Sequence, residues 1–127
     1  MLKKKILVVD DEESFCRLVK LNLEETGKYE VKTENQSINA IRAVKEFKPD
    51  LILLDIVMPN VDGSVISQQL RSDEEFKNIP IVFLTAIVTE SEVKDRNGFI
   101  SGRPFLAKPM PVNKLIDCIE QNTQACK

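Results

Sequence analysis

Acidic, hydroxyl and ammonium side chains stand where four short apolar runs end. Asp10-Asp11 follow Ile6-Leu7-Val8-Val9, Asp55 follows Leu51-Ile52-Leu53-Leu54, Thr85 follows Ile81-Val82-Phe83-Leu84, and Lys108 follows Phe105-Leu106-Ala107. In an open parallel α/β sheet, ligands bind beyond the carboxyl ends of the strands. If the four runs share one sheet, three carboxylates, a hydroxyl and an ammonium gather at one rim. Such a set can hold a divalent cation and a phosphoryl group.

Three clustered carboxylates repel one another. At ~4 Å and an effective dielectric of about 20, each pair costs roughly 4 kcal/mol, and three pairs rival a domain's whole stability of roughly 5–15 kcal/mol. Lys108 offsets part of this. A hard dication offsets more, and Mg²⁺ suits a site of about two carboxylates completed by water and a phosphate oxygen. Aspartate can itself carry a phosphoryl group covalently. Lys108 would then pair with one phosphate oxygen and Thr85 with another, while the small Ala86 leaves an approach. Positioning and charge neutralisation dominate phosphoryl transfer, so a chain without histidine is not handicapped. The same lack excludes Ser-His and Cys-His nucleophiles and imidazole metal sites.

The elements that must position these groups are legible in the pattern. Strand and helix alternate five times, which argues for βαβ units. The first strand is about Lys5 to Asp10, followed by a helix with Phe15, Leu18, Val19 and Leu23 on one face, ended by Gly27. Tyr29 to Thr33 alternates as a second strand. A helix with Ile38, Ile41, Val44 and Phe47 on one face stops before Pro49. Leu51 to Leu54 runs through Asp55 into a loop ending at Asp62-Gly63, a turn signal in its own right. A third helix carries Val65, Ile66 and Leu70, and Ser72 to Glu75 has capping-box spacing for a further turn. Ile81 to Leu84 is the fourth strand, a helix opens at Thr89, Phe105 to Ala107 is the fifth strand, and Pro111 starts the last helix through Leu115, Cys118 and Ile119.

The first, third and fourth strands are continuous apolar runs, as expected when both faces are covered. The second and fifth are weaker, and Pro104 suits an edge. The flavodoxin-like order 2-1-3-4-5 puts the weak strands outside and makes the polar-ended strands neighbours.

Size and charge agree with one soluble domain over residues 1–127. The 127 residues are 43% hydrophobic and 30% charged, with 18 basic and 20 acidic side chains. That balance carries no general affinity for nucleic acid or an anionic membrane, and Lys3-Lys4-Lys5 reads as a solvated lead-in. No segment approaches membrane-spanning or signal-peptide length, so a cytoplasmic protein is expected. Cys16, Cys118 and Cys126 lack metal-ligand spacing and read as free packing thiols.

Taken singly, most of these features have plainer readings. Asp10-Asp11-Glu12-Glu13 is a favourable helix N-terminus, Thr85 a common strand residue, Lys108 a loop lysine, and Phe105 a core side chain. Asp55 is the exception, because an acid following Leu51-Ile52-Leu53-Leu54 is costly to bury without a partner.

Together, Val8-Val9-Asp10-Asp11-Glu12, Leu54-Asp55-Ile56-Val57-Met58-Pro59 with Asp62-Gly63, Leu84-Thr85-Ala86, and Phe105-Leu106-Ala107-Lys108-Pro109 resemble the receiver domain of bacterial two-component response regulators. The likeness runs over essentially the whole chain and is of the stand-alone, chemotaxis-regulator-like kind. It implies that Asp55 accepts a phosphoryl group from a histidine kinase or histidine phosphotransfer protein. Asp10, Asp11 and Asp55 would organise Mg²⁺ with the Val57 backbone carbonyl. Thr85 and Lys108 would contact the phosphoryl group, Phe105 would be the aromatic switch coupled to Thr85, and Lys108-Pro109 would be a cis peptide. Output would pass through the helix near Thr89, the fifth strand and the last helix to a downstream protein or attached domain.

The sequence departs from the family around Thr89 to Asn97, where Val93 is nearly the sole apolar anchor, so a short or mobile helix is expected there. Gly98 and Gly102 flank Phe99-Ile100-Ser101 in place of a small-residue segment. Val57 and Ile87 are apolar where other members carry polar groups that help position water, which implies slow loss of phosphate.

Three rivals differ in testable ways. A haloacid-dehalogenase-type phosphatase needs Asp-x-Asp after its first strand, whereas Asp10 and Asp11 are adjacent. A flavodoxin-like electron carrier would meet repulsion between its flavin phosphate and the acidic first loop. A module that keeps the fold without phosphorylation would not need the intact acceptor set.

Overall fold

The computed structural model describes residues 3–56, 58, 60–85, 99–100, 103–108 and 110–123, with backbone alone at 99–100 and 103–104. The expected helix over Thr89–Asn97, together with Val57, Ala86, Ile87, Pro109 and Cys126, lies outside the described residues.

A parallel sheet is built from β1 (Lys4–Val9), β2 (Tyr29–Glu34), β3 (Leu51–Asp55), β4 (Ile81–Thr85) and a later strand, Arg103–Ala107. Between β4 and that strand the chain forms β5 (Phe99–Ile100), so Arg103–Ala107 is β6, and the sheet order is β2-β1-β3-β4-β6-β5. The five parallel strands therefore follow the expected 2-1-3-4-5 order. One expectation is corrected at the edge. β5 pairs antiparallel with β6, Phe99 opposite Pro104 and Ile100 opposite Arg103, so the strand that Pro104 enters is not outermost.

Successive strand residues point to opposite faces, and the core divides accordingly. Leu7, Val9, Ile52, Leu54, Ile81 and Phe83 pack against α2 (Ala40–Phe47) and α3 (Gly63–Arg71). Ile6, Val8, Leu51, Leu53, Val82 and Leu84 pack against α1 (Glu13–Glu25) and α4 (Val112–Thr123). With helices on both sides, all five residues of β3 and of β4 are buried, Asp55 and Thr85 included.

The helix boundaries follow local chemistry. α1 starts where Asp10 Oδ1 accepts the Glu12 N–H at 2.9 Å, and it is followed by Gly27 in the left-handed region (φ 78). α2 stops at Lys48 (φ 53), just before Pro49. The turn after α3 is initiated by Asp73, which accepts the Glu75 N–H at 2.9 Å, rather than by Ser72.

Three apolar residues of the expected helices lie outside the core. Leu18 is 57% exposed, because α1 turns Cys16, Val19 and Leu23 inward, and Leu18 falls one residue off that stripe. Ile38 is 70% exposed, because Ser37–Asn39 is a 3-10 turn and the helical phase begins only at Ala40. Val65 is 45% exposed, with Ile66, Ser67 and Leu70 facing the core instead.

Candidate functional site

The carboxyl ends of β1, β3, β4 and β6 lie side by side. The β1–β2 ladder extends one step through Asp10 N–H to Glu34 O (3.1 Å), which carries Asp10 past the last β1 residue. Asp55 is level with Leu84 across the β3–β4 ladder. Thr85 is level with Ala107, and the Lys108 N–H donates to Thr85 O at 2.8 Å, so Lys108 emerges beside Thr85. The backbone thus delivers all five predicted side chains to one rim.

Asp10, Asp11 and Asp55 each offer an oxygen within 4.8 Å of the others. Asp10 and Asp55 are buried, while Asp11 is exposed. Three hard oxygen donors, two of them fixed at strand ends, fit a small divalent cation that keeps part of its water. Lys108 reaches into the same cluster. Its Nζ is 2.7 Å from Asp10 Oδ2, 2.7 Å from Glu12 Oε1 and 3.7 Å from Asp55 Oδ2, with 8% of its side chain exposed. The Phe15 ring centroid lies 4.6 Å from the same Nζ. Burial pulls the lysine pKa down, but the hydrogen bonds to Asp10 and Glu12 and the charges of Asp10 and Asp55 outweigh it. The ammonium is held above its ordinary range.

Thr85 is buried with 3% exposure. Phe105, 7% exposed, lies opposite Phe83 and packs in the α2–α3 core. Thr85, two residues after Phe83, points to that same face.

The loop after Asp55 is held from two sides. Ser37, buried at the start of the 3-10 turn, accepts the Val61 N–H at 3.1 Å. Asp62 caps α3 by accepting the Ser64 N–H at 3.3 Å. The Gly63 N–H donates to Ile56 O at 2.8 Å. A Cβ on Gly63 would overlap the Asp55 carbonyl oxygen and lie 2.9 Å from Ile56 Cα. Asp62-Gly63 is therefore a turn signal whose glycine lets α3 approach the backbone of Asp55.

Sequence reasoning missed four supports of the rim: Glu12 and Phe15 on Lys108, and Asn35 and Cys16 on Asp10. Asn35 Nδ2 donates to Asp10 O at 3.0 Å and to Cys16 Sγ at 3.3 Å, and the Cys16 thiol also donates to Asp10 O at 3.4 Å. Burial, helped by the nearby Asp10 charge, pushes that thiol up to about 12. Cys16 and Cys118 are free thiols, as expected. Asn35 had a signal: it is a polar residue directly after the end of β2.

Another surface depression, of about 660 Å³, lies at the opposite, amino end of the strands and is lined by Lys3, Lys4, Lys5, Lys48 and Asp50. It contains none of the rim residues. Among the described residues, no helix is long and apolar enough to cross a membrane.

Known proteins resemble this chain in sequence and in fold. A sequence model of the response regulator receiver domain matches residues 6–120. The polar-differentiation response regulator DivK of Brucella anthropi is 30% identical over 120 residues, covering 94% of this chain and 95% of DivK. The DNA-binding dual master transcriptional regulator RpaA of Synechocystis is 37% identical over 114 residues, which is 88% of this chain but 46% of RpaA. The chain thus spans less than half the length of that regulator. Among solved structures, the Vibrio cholerae chemotaxis protein CheY4 superposes with a TM-score of 0.80 at 25% identity, covering 94% of this chain and 98% of that one. With a family match over residues 6–120 and a relative 30% identical over nearly its whole length, the chain belongs to the response regulator receiver domain family.

Proposed function

We propose that this chain is a phospho-accepting signalling domain in which Asp55 receives a phosphoryl group from a histidine kinase or histidine phosphotransfer protein. The observation that carries this reading is the meeting of Asp10, Asp11 and Asp55 within 4.8 Å, with the Lys108 ammonium 3.7 Å from Asp55. In the transfer, an Asp55 carboxylate oxygen forms a bond to phosphorus as the bond from phosphorus to the donor nitrogen breaks. The electron pair leaves with the donor imidazole.

Asp10, Asp11 and Asp55 would hold Mg²⁺, together with the Val57 carbonyl. The cation would neutralise charge on the acceptor and the transferred group. Lys108 orients and neutralises phosphoryl oxygens, and Thr85 donates its hydroxyl to another. Thr85 and Phe105 share one face of β4 and β6, which suits a switch in which the ring follows the hydroxyl. The cis peptide at Lys108-Pro109 belongs to this reading as well.

The chain would act as one domain over residues 1–127 in the cytoplasm, signalling by contact with a downstream protein or attached output domain. It would bind neither nucleic acid nor membrane directly, and catalyse nothing beyond its own phosphorylation and dephosphorylation. The apolar Val57 and Ile87 support a long-lived phosphorylated form. Intact-mass spectrometry after acetyl phosphate and Mg²⁺ treatment tests the acceptor. One phosphoryl group on the wild type and none on Asp55→Asn is expected, and equal incorporation in both removes Asp55 from the role.

A further inference from the structure

Lys108 bonds two carboxylates directly, and the acceptor is not one of them. Asp10 Oδ2 and Glu12 Oε1 each lie 2.7 Å from Nζ, and Asp55 Oδ2 lies at 3.7 Å, outside hydrogen-bonding distance. The Phe15 ring, 4.6 Å away, flanks the same ammonium.

The two bonded carboxylates are not equivalent. The Asp10 side chain has no exposed surface, and its other oxygen accepts the Glu12 N–H at 2.9 Å. Turning it away would strand a backbone donor and bury an unpaired charge. The Glu12 side chain is 58% exposed and can rotate into water, where its charge is solvated. A phosphoryl group esterified to Asp55 brings anionic oxygens to the ammonium. The N–H held by Glu12 is the one that can be surrendered to them.

We propose that Glu12 is a latch on Lys108: it occupies an ammonium hydrogen bond that a phosphoryl group on Asp55 would take, and so slows phosphoryl acceptance. Glu12 is a positioning residue here, acting through Lys108. The proposal rests on the phospho-acceptor reading. Glu13 is the natural comparison, being exposed, adjacent and equal in charge but not among the carboxylates within reach of the Lys108 ammonium.

The test compares Glu12→Ala with Glu13→Ala in the full chain. Nitrogen-15 NMR of the lysine ammonium groups reads the contact itself, without any phosphoryl donor. Faster proton exchange at Lys108 Nζ is expected in Glu12→Ala alone. Acetyl phosphate with saturating Mg²⁺ reads the consequence. In that reaction the Asp55 oxygen bonds to phosphorus while the bond from phosphorus to the acetate oxygen breaks, and acetate leaves with the electron pair. Loss of an exposed ion pair of this kind shifts a rate or equilibrium by about two- to five-fold, so Glu12→Ala should accept the group faster by that factor, and Glu13→Ala by clearly less. Unchanged ammonium exchange in Glu12→Ala would overturn the latch, and equal acceleration in both variants would reduce it to a general charge effect and overturn it too. A wild type that takes no phosphoryl group sinks the acceptor reading, and the donor-free ammonium measurement tells that failure apart from an absent Glu12 contact.

Discussion

Lys108 Nζ lies 2.7 Å from Asp10 Oδ2, joining the end of β6 to the end of β1 across 98 positions of sequence. The Asp10 side chain has no exposed surface and that of Lys108 has 8%, so the pair stands largely out of water. Replacing Lys108 with Met leaves Asp10 buried beside other carboxylates and removes the ammonium bonded to it among the described residues. Removing one partner of a buried pair costs about 3–5 kcal/mol. A loss of that order is expected in urea unfolding of Lys108→Met in metal-free buffer at pH 7. A loss under about 1 kcal/mol would mean that Asp10 is adequately solvated or paired without Lys108.

The acid trio makes the folded state less stable than its packing alone would allow. Asp55→Asn removes one of three like charges within 4.8 Å. It is expected to raise the thermal midpoint of the metal-free protein. The same substitution should shrink the upward shift that Mg²⁺ gives the wild type. That shift corresponds to about 2.7 kcal/mol when the ion is at 100 times its dissociation constant. Thermal unfolding of both proteins with EDTA and with Mg²⁺ checks the pair of outcomes. An Asp55→Asn protein less stable than wild type in EDTA would contradict the repulsion.

Gly63 permits α3 to start against the backbone of Asp55. Gly63→Ala puts a methyl group onto the Asp55 carbonyl oxygen and close to Ile56 Cα, neither of which can swing aside as a side-chain end would. Overpacking of this kind costs about 1–3 kcal/mol, and relief can come only by moving the acceptor loop. Gly63→Ala is expected to lose stability in that range and to take up phosphoryl more slowly than wild type. Wild-type uptake together with a small stability change would place the strain away from Asp55.

Tyr29, fully buried at the start of β2, donates its hydroxyl to Glu120 Oε2 at 2.5 Å, and Lys4 Nζ donates to Glu120 Oε1 at 3.0 Å. The Tyr29 hydrogen bond, with Lys4 second, holds the Glu120 carboxyl below its ordinary value of 4.5. A group lowered on folding stabilises the protein above its unfolded pKa and loses that contribution as pH falls through the folded one. Stability from this contact should therefore be complete above about pH 5 and decline below pH 4.5. Tyr29→Phe should cost about 1–2 kcal/mol at pH 7 and flatten the acid side of the urea midpoint against pH. An unchanged acid slope in Tyr29→Phe would move the effect to Lys4.

The sheet order and the acidic rim were legible in the linear chain for one reason. In a strand buried on both faces nearly every residue is apolar, so the first polar residue marks the strand's end, and strand ends are where a parallel sheet gathers chemistry. Leu51 to Asp55 and Ile81 to Thr85 follow that logic to the residue. Helix faces were less legible. Leu18 and Cys16 are both apolar candidates two positions apart, and only the docking of α1 on the sheet decides that Cys16 turns in. The 3-10 turn over Ser37–Asn39 likewise breaks the phase that Ile38 was expected to share with α2.

Sequence by itself determined which residues would arrive at the rim: Asp10, Asp11, Asp55, Thr85 and Lys108 all stand where strand periodicity stops. Tertiary structure alone decided how they divide their contacts there. Whether Lys108 bonds Glu12 or Glu13, and whether Asp10 is steadied by Asn35, depends on distances across elements far apart in the chain. Strand periodicity repeats every two residues and is written locally. The choice between two neighbouring carboxylates rests on a few ångströms of approach, which only the packed elements define.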